Sequence, residues 1–165
     1  MLGPLEAGVA REVGIVGREP DPQRCVGSGD MIVALHVATG AVAGAATGSR
    51  AKALLLGPVL HLAGDWMPHE DFRSRRFEIG SGVAALVLLV ARRGPFDPAT
   101  LGAVACAGPD LEHVLPSLRP GGKKLFHDRL GWHRSGRFPA LLQLALACGI
   151  IGALVLRSGR GPEAA

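Results

Sequence analysis

The most constraining feature of this chain is a series of five apolar segments separated by short polar or charged breaks. Ala and Leu dominate these segments and no strand-like alternation runs through them, so each is predicted to form a helix. The segments are, in order, Ile32–Gly48, Ala53–Trp66, Glu78–Ala91, Ala99–Gly108 and Phe138–Leu156. We therefore expect an all-α fold, an up-and-down bundle of about five apolar helices.

The apolar character of the segments favours a membrane-embedded bundle. Segment Phe138–Leu156 has nineteen residues and no charge, and a helix that crosses a bilayer needs about 20 apolar residues. Hydrophobic residues make up 48% of the chain and charged residues 19%, which is apolar for a soluble protein. The shorter Ala99–Gly108 is expected to borrow neighbouring residues or to lie inside the bundle. A soluble bundle that binds a partner through its apolar surface is the alternative.

Three regions are predicted along the chain. Residues 1–30 mix Gly, Pro, Arg and Glu without periodicity and are expected to be a disordered N-terminal arm. Residues 31–157 form the helical membrane domain, and residues 158–165 form a C-terminal tail.

The positive charge indicates a membrane surface rather than nucleic acid as a partner. The net charge is +4, but the basic residues are spread over every connecting segment and do not alternate with aromatic residues. If all five segments cross a bilayer in alternation, residues 1–30, 67–77 and 110–137 share one side with twelve Lys and Arg, against six on the other. The positive-inside rule then predicts a multi-pass protein of the inner membrane with the first side in the cytoplasm.

Histidines and acidic residues lie where the apolar segments begin and end. They form the patterns His61-x-x-x-Asp65-x-x-x-His69 and Asp110-x-x-His113, and ionisable residues in such surroundings are costly unless paired or bound to metal. An up-and-down bundle places them at one end, together with residues near the start of the first helix and in the loop after the fourth. The predicted metal ligands are His36, His61, Asp65, His69, Asp110, His113 and His127.

The spacing of these residues suits a divalent metal, and zinc in particular. Residues four apart share one face of a helix, and zinc binds imidazole nitrogen and carboxylate oxygen. The number of candidates allows one or two ions. A catalytic zinc lowers the pKa of a bound water, and two ions can bind both the attacking and the leaving oxygen of a phosphate ester. Glu112 adjoins the cluster and is a candidate general base.

From about Met31 to Leu156 the chain resembles a bacterial family of membrane-bound metal-dependent hydrolases. The resemblance rests on three motifs, which are His36-Val-Ala-Thr-Gly40, Gly64-Asp65-Trp-Met-Pro68-His69 and Ala107-Gly-Pro-Asp110-Leu-Glu-His113. The His-x-x-x-Asp element is also similar to one from zinc-dependent phospholipase C, an all-helical enzyme that binds zinc through His and Asp. The resemblance implies a phosphoester hydrolase that acts on an anionic, phospholipid-like substrate at the membrane by means of a metal-activated water.

A non-enzymatic interpretation is also open at the sequence level. The His and Asp side chains would then form a structural polar network with Arg73, Arg75 and Arg76 that ties the helix ends together, in an integral membrane protein without catalytic activity.

Overall fold

The computed structural model describes residues 31–70, 72–115, 117, 120–122 and 136–158. Within these ranges the chain is all-helical, and the predicted all-α class is confirmed. The helices are α1 (Val33–Thr47), α2 (Arg50–Asp65), α3 (Arg75–Arg93), α4 (Pro98–Ala107), α5 (Leu111–Val114) and α6 (Ala140–Ser158). The predicted N-terminal arm and almost all of the predicted tail lie outside the described residues.

The helix boundaries follow local capping chemistry. The Ser49 hydroxyl accepts a hydrogen bond from the backbone N–H of Lys52, and the Ser74 hydroxyl accepts one from Phe77. Because of these caps, α2 and α3 each begin three residues before the predicted apolar segments, and Arg50 and Arg75 belong to the helices rather than to the breaks. Asp97 caps α4, and Pro98 is the first residue of the helix, a position that suits proline.

Helix α1 is the central element of the bundle and contacts α2, α3, α4 and α6. Its residues are apolar around most of its circumference, which is typical of a helix buried inside a protein or in a membrane. Ala38 and Ala41 are fully buried. The core is accordingly built from small side chains around α1. Their close packing buries apolar surface that larger aromatic side chains, which are scarce in this chain, would otherwise provide.

Helices α1 and α4 cross at backbone contact. A Cβ atom added at Gly40 would lie 2.2 Å from the carbonyl oxygen of Gly102, and one added at Gly44 would lie 1.9 Å from that of Pro98. Only glycine permits so close an approach. The crossing holds the ten residues of α4 firmly against the centre of the bundle, and so determines where the turn that follows α4 lies.

Helix α6 starts two residues later than the predicted segment because the residues before it are extended. Phe138 pairs with His69 in an isolated β-bridge, and the carbonyl oxygen of Phe138 accepts a hydrogen bond of 2.9 Å from the backbone N–H of Glu70. At the far end of α3, Arg93 donates a hydrogen bond to the carbonyl oxygen of Leu154 on α6. The two contacts join α6 to the rest of the bundle near both of its ends.

Among the described helices, α6 alone is long and apolar enough to cross a membrane. Only 28% of its most apolar window is buried, so most of its hydrocarbon surface faces outward. Helix α1 is apolar but shorter, and it is covered by its neighbours. The predicted multi-pass topology and its orientation remain predictions.

Candidate metal centre

The site is assembled where the start of α1 meets the end of α2. His36 lies in the first turn of α1 and is fully buried. Asp65 is the last residue of α2, and 3% of its surface is exposed. The ring Nε2 of His36 donates a hydrogen bond of 3.1 Å to Oδ1 of Asp65. Two residues that are distant in the sequence thus meet in the interior.

Asp65 also contacts a second imidazole. His61 lies one turn earlier on α2, and its Nε2 is 3.2 Å from Oδ2 of Asp65. The two carboxylate oxygens of Asp65 therefore face one imidazole each. The two rings lie side by side, with centroids 4.0 Å apart and planes inclined at 30°.

A 3-10 turn brings the third element to the site. The segment Gly108–Asp110 continues α4 in this tighter form, with Pro109 at the position where its missing N–H costs nothing. Oδ1 of Asp110 lies 3.9 Å from Nε2 of His61. This turn directs Asp110 towards His61.

One group of side chains in this arrangement could hold a metal ion. His36, His61 and Asp110 each offer a ligand atom, and these atoms lie within 4.8 Å of one another. In a tetrahedral zinc site with metal–ligand distances of about 2.0–2.2 Å, the ligand atoms lie about 3.3–3.6 Å apart. The distances from Nε2 of His61 to Asp65 (3.2 Å) and to Asp110 (3.9 Å) bracket that value.

The electrostatics of the site favour a positive charge. The carboxylates of Asp65 and Asp110 both lie within 4 Å of the same nitrogen of His61, and both residues are buried. Two ionised carboxylates repel each other strongly away from water, and a buried charge must be paired or bound to metal. A divalent cation or an imidazolium between them meets this requirement.

The packing around His36 leaves little freedom for its ring. A Cβ atom added at Gly64 would lie 3.2 Å from Cε1 of His36 and 1.9 Å from Cε of Met31. The absence of a side chain at Gly64 is what lets the imidazole of His36 lie against the end of α2. The motif Gly64-Asp65 thus provides both the space for the ring and the carboxylate that binds it.

The remaining predicted site residues have different positions. His69 is buried, but its Nδ1 donates a hydrogen bond to the carbonyl oxygen of Met67. Its backbone is paired with Phe138, and it is not a member of the group of His36, His61 and Asp110. Glu112 is buried on α5, two residues beyond Asp110. His113 lies in α5 and its side chain is outside the described part of the structure, as is the whole of His127.

The sequence did not identify Gln143, whose side chain connects α6 to the residues just before α1 and just after α2. It is fully buried on α6, and its amide donates hydrogen bonds to the carbonyl oxygens of Glu70 (2.7 Å) and Phe138 (3.0 Å). Its Oε1 accepts a hydrogen bond from the backbone N–H of Ile32 at 3.3 Å. The available signal was a single amide within an otherwise apolar segment, since such a residue in apolar surroundings must find partners.

Neither a protein-family model, nor a curated protein, nor a solved structure matches this chain.

Proposed function

We propose that this protein is a membrane-embedded, metal-dependent hydrolase that acts on a phosphoester substrate. The observation that carries the proposal is the buried convergence of His36, His61 and Asp110 from three different helical segments, with ligand atoms within 4.8 Å of one another. Imidazole and carboxylate groups in this number match the ligand sets of zinc sites.

Each residue of the site has a distinct role in this proposal. His36, His61 and Asp110 bind the ion, and Asp65 either completes its coordination or orients the two imidazoles. A divalent ion bound there would supply a Lewis acid and would lower the pKa of a bound water. Glu112 is the proposed general base that would take a proton from this water, and the P–O bond to the alcohol of the ester would break. Zinc is the proposed metal, with one or two ions.

The membrane part of the proposal rests on outward-facing apolar side chains. Leu55 on α2, Val87 on α3 and Leu141 on α6 are 75%, 60% and 73% exposed, and exposed apolar surface of this extent marks an interaction site or a lipid-facing surface. We propose that these helices contact lipid and that the metal-site end faces the cytoplasm of the cell, next to anionic headgroups.

A structural polar network is the second candidate function. It is favoured by the fact that Asp65 already pairs with His36 and His61, so the cluster can join α1 to α2 without an ion. The arginine partners first considered for such a network are exposed, and no ion pair among the described residues joins Arg73 or Arg76 to the cluster.

Metal analysis of the purified full-length protein separates the two functions. We expect wild type to retain stoichiometric zinc, and His61→Ala and Asp110→Ala to lose it, while Asp97→Ala, which alters an aspartate at a helix start away from the cluster, retains it. Hydrolysis of a phosphodiester by wild type and not by Asp110→Ala completes the test. Wild type without zinc, manganese or iron above background would rule out the hydrolase.

A further inference from the structure

A groove to which Asp110 of the candidate metal centre contributes follows one face of α3. Its volume is about 160 Å³, close to that of an engineered cavity that binds benzene. The opposite wall is formed by Val33 and Val37 of α1. The residues that α3 contributes to the lining are Arg75, Glu78, Ile79, Gly82, Val83 and Leu86.

The spacing of the α3 residues gives the groove its shape. They recur three and four positions apart, which is the spacing of a single helix face. From Arg75 to Leu86 the face extends over about 16 Å at 1.5 Å per residue. Gly82 allows the two walls to approach, since a Cβ atom there would lie 2.5 Å from Cγ1 of Val33. The groove therefore follows one face of α3, and its volume takes a short stretch of a single hydrocarbon chain.

The polar groups of the lining are at one end. Arg75 and Glu78 belong to the first turn of α3, and Asp110 joins them from the turn after α4. Beyond this end, Ile79, Val83 and Leu86 make the wall apolar. A ligand that fits this distribution has a polar head and a hydrocarbon tail.

Asp110 connects the groove to the metal centre. It lines the groove and also belongs to the group of side chains that could hold a metal ion. The head of a molecule in the groove therefore lies beside the candidate ligands, and the guanidinium of Arg75 lies at the same end, where such a group suits a phosphate.

We propose that this groove binds the hydrocarbon tail of the substrate, and that the substrate is accordingly an amphiphilic phosphoester taken from the bilayer. The inference rests on the proposed function for the identity of the head group. The tail lies along α3 between Val37 and Val83, and the ester lies at Asp110. The half-exposed side chain of Val83 leaves an opening through which a tail enters sideways from the lipid.

Photocrosslinking of full-length protein in phosphatidylcholine vesicles tests the inference directly. The probe is phosphatidic acid with a diazirine in the middle of one acyl chain, and crosslinked peptides are identified by mass spectrometry. We expect crosslinks concentrated on the groove-lining residues of α1 and α3. In Val83→Trp the indole narrows the groove, and the crosslinking yield at these residues should fall about tenfold. A tenfold loss of affinity corresponds to about 1.4 kcal/mol of binding free energy.

Val87→Trp is the matched control. Val83 and Val87 lie one turn apart on α3 and are 54% and 60% exposed, but Val87 does not line the groove. Its variant should crosslink like wild type, and both variants should show the wild-type unfolding temperature. Two outcomes would overturn the proposal. One is crosslinks spread equally over the exposed faces of α2 and α6, which would show contact with ordinary bilayer lipid. The other is an unchanged crosslinking yield in Val83→Trp, which would mean that something other than the substrate tail, such as another segment of the chain, occupies the groove.

Crosslinking does not require a bound metal. The experiment can therefore contradict tail binding in the groove without contradicting the proposed hydrolase, and the reverse. Crosslinks in the groove of a protein that retains no metal would support tail binding and overturn its role in hydrolysis. Hydrolysis of a short-chain phosphodiester together with dispersed crosslinks would leave the hydrolase standing and overturn the groove as a substrate site.

Discussion

His36 and Asp65, twenty-nine residues apart in the sequence, are joined by a hydrogen bond of 3.1 Å between Nε2 and Oδ1 in the interior of the bundle. This contact links the start of the central helix to the end of the next one. Since the same carboxylate also faces His61, the loss of Asp65 affects both imidazoles at once. The stability of this end of the protein and its candidate chemistry depend on the same side chain.

Asp65→Ala should destabilise the protein by about 1–3 kcal/mol, because it removes the hydrogen-bond acceptor of the buried His36 ring and the carboxylate that faces Nε2 of His61. The free energy of unfolding, measured by urea titration in detergent with and without a chelator, checks this. The matched control is Asp97→Ala, which removes a partly exposed carboxylate, one helix cap and an ion pair with Arg93 and should cost about 1 kcal/mol. Equal losses in the two variants would contradict the importance assigned to Asp65.

Removal of metal should lower the unfolding temperature of wild type. An ion present at 100 times its Kd stabilises the native state by about 2.7 kcal/mol, so dialysis against EDTA should produce a clear downward shift that added zinc reverses. Asp110→Asn should show a much smaller response to both treatments. If neither chelator nor zinc changes the unfolding temperature of wild type, the result favours the structural polar network.

Gly40→Ala and Gly80→Ala should have opposite effects on stability. The new methyl group at position 40 meets backbone and side-chain atoms of α4, so α1 and α4 must separate, at a cost of about 1–3 kcal/mol or more. Position 80 is inside α3 with no other atom within 4 Å of the added Cβ. Alanine there should stabilise by about 0.5–1 kcal/mol, because glycine loses more backbone freedom on folding. Urea unfolding of both variants tests the difference in sign.

Gln143→Met should destabilise the protein by about 1–3 kcal/mol. Methionine fills the space but cannot replace the amide that bonds the carbonyl oxygens of Glu70 and Phe138 and the buried N–H of Ile32. Leu142→Met, at the neighbouring half-exposed position, should be almost neutral. Hydrogen exchange should show faster opening at the backbone N–H of Glu70 in the first variant. If the N–H of Glu70 is as well protected in Gln143→Met as in wild type, Gln143 does not stabilise this end of the bundle.

Leu146→Lys distinguishes a lipid-facing α6 from one in water. Leu146 is 45% exposed, and in a bilayer a lysine near a helix centre costs about 2.5–3.5 kcal/mol, so the fraction of protein that resists carbonate extraction should fall. Leu115→Lys, at a leucine exposed to a similar extent beyond α5, should leave extraction unchanged. If both variants and wild type enter the carbonate supernatant, the membrane proposal is wrong.

Much of the fold could be predicted from the sequence because the relevant signals are local. The apolar segments locate α1 to α4 and α6 to within a few residues, and the Asp97-Pro98 pair marks the start of α4 to the residue. The shifted starts of α2 and α3 arise from serine caps outside the apolar runs. Of the predicted ligands, the structure brings His36, His61 and Asp110 within 4.8 Å of one another, because the helix ends that carry them meet.

Other features depend on contacts between distant segments and have no local signal. His69 has the same spacing from Asp65 as His61, yet its ring is directed to the Met67 carbonyl because its backbone pairs with Phe138. Two of the three partners of Gln143, Ile32 and Glu70, lie more than seventy residues away. Neither relationship can be read from periodicity, since both are decided by how α6 packs on the other helices.

The sequence by itself determined the helical class, the approximate helix boundaries and the residue types available for a metal site, because hydrophobic periodicity, capping and composition act over a few residues. The tertiary structure decided which imidazoles share the carboxylate of Asp65, how closely α1 and α4 approach at Gly40, and where the groove beside Asp110 runs. Those properties are distances between segments, and they are set only when the helices pack.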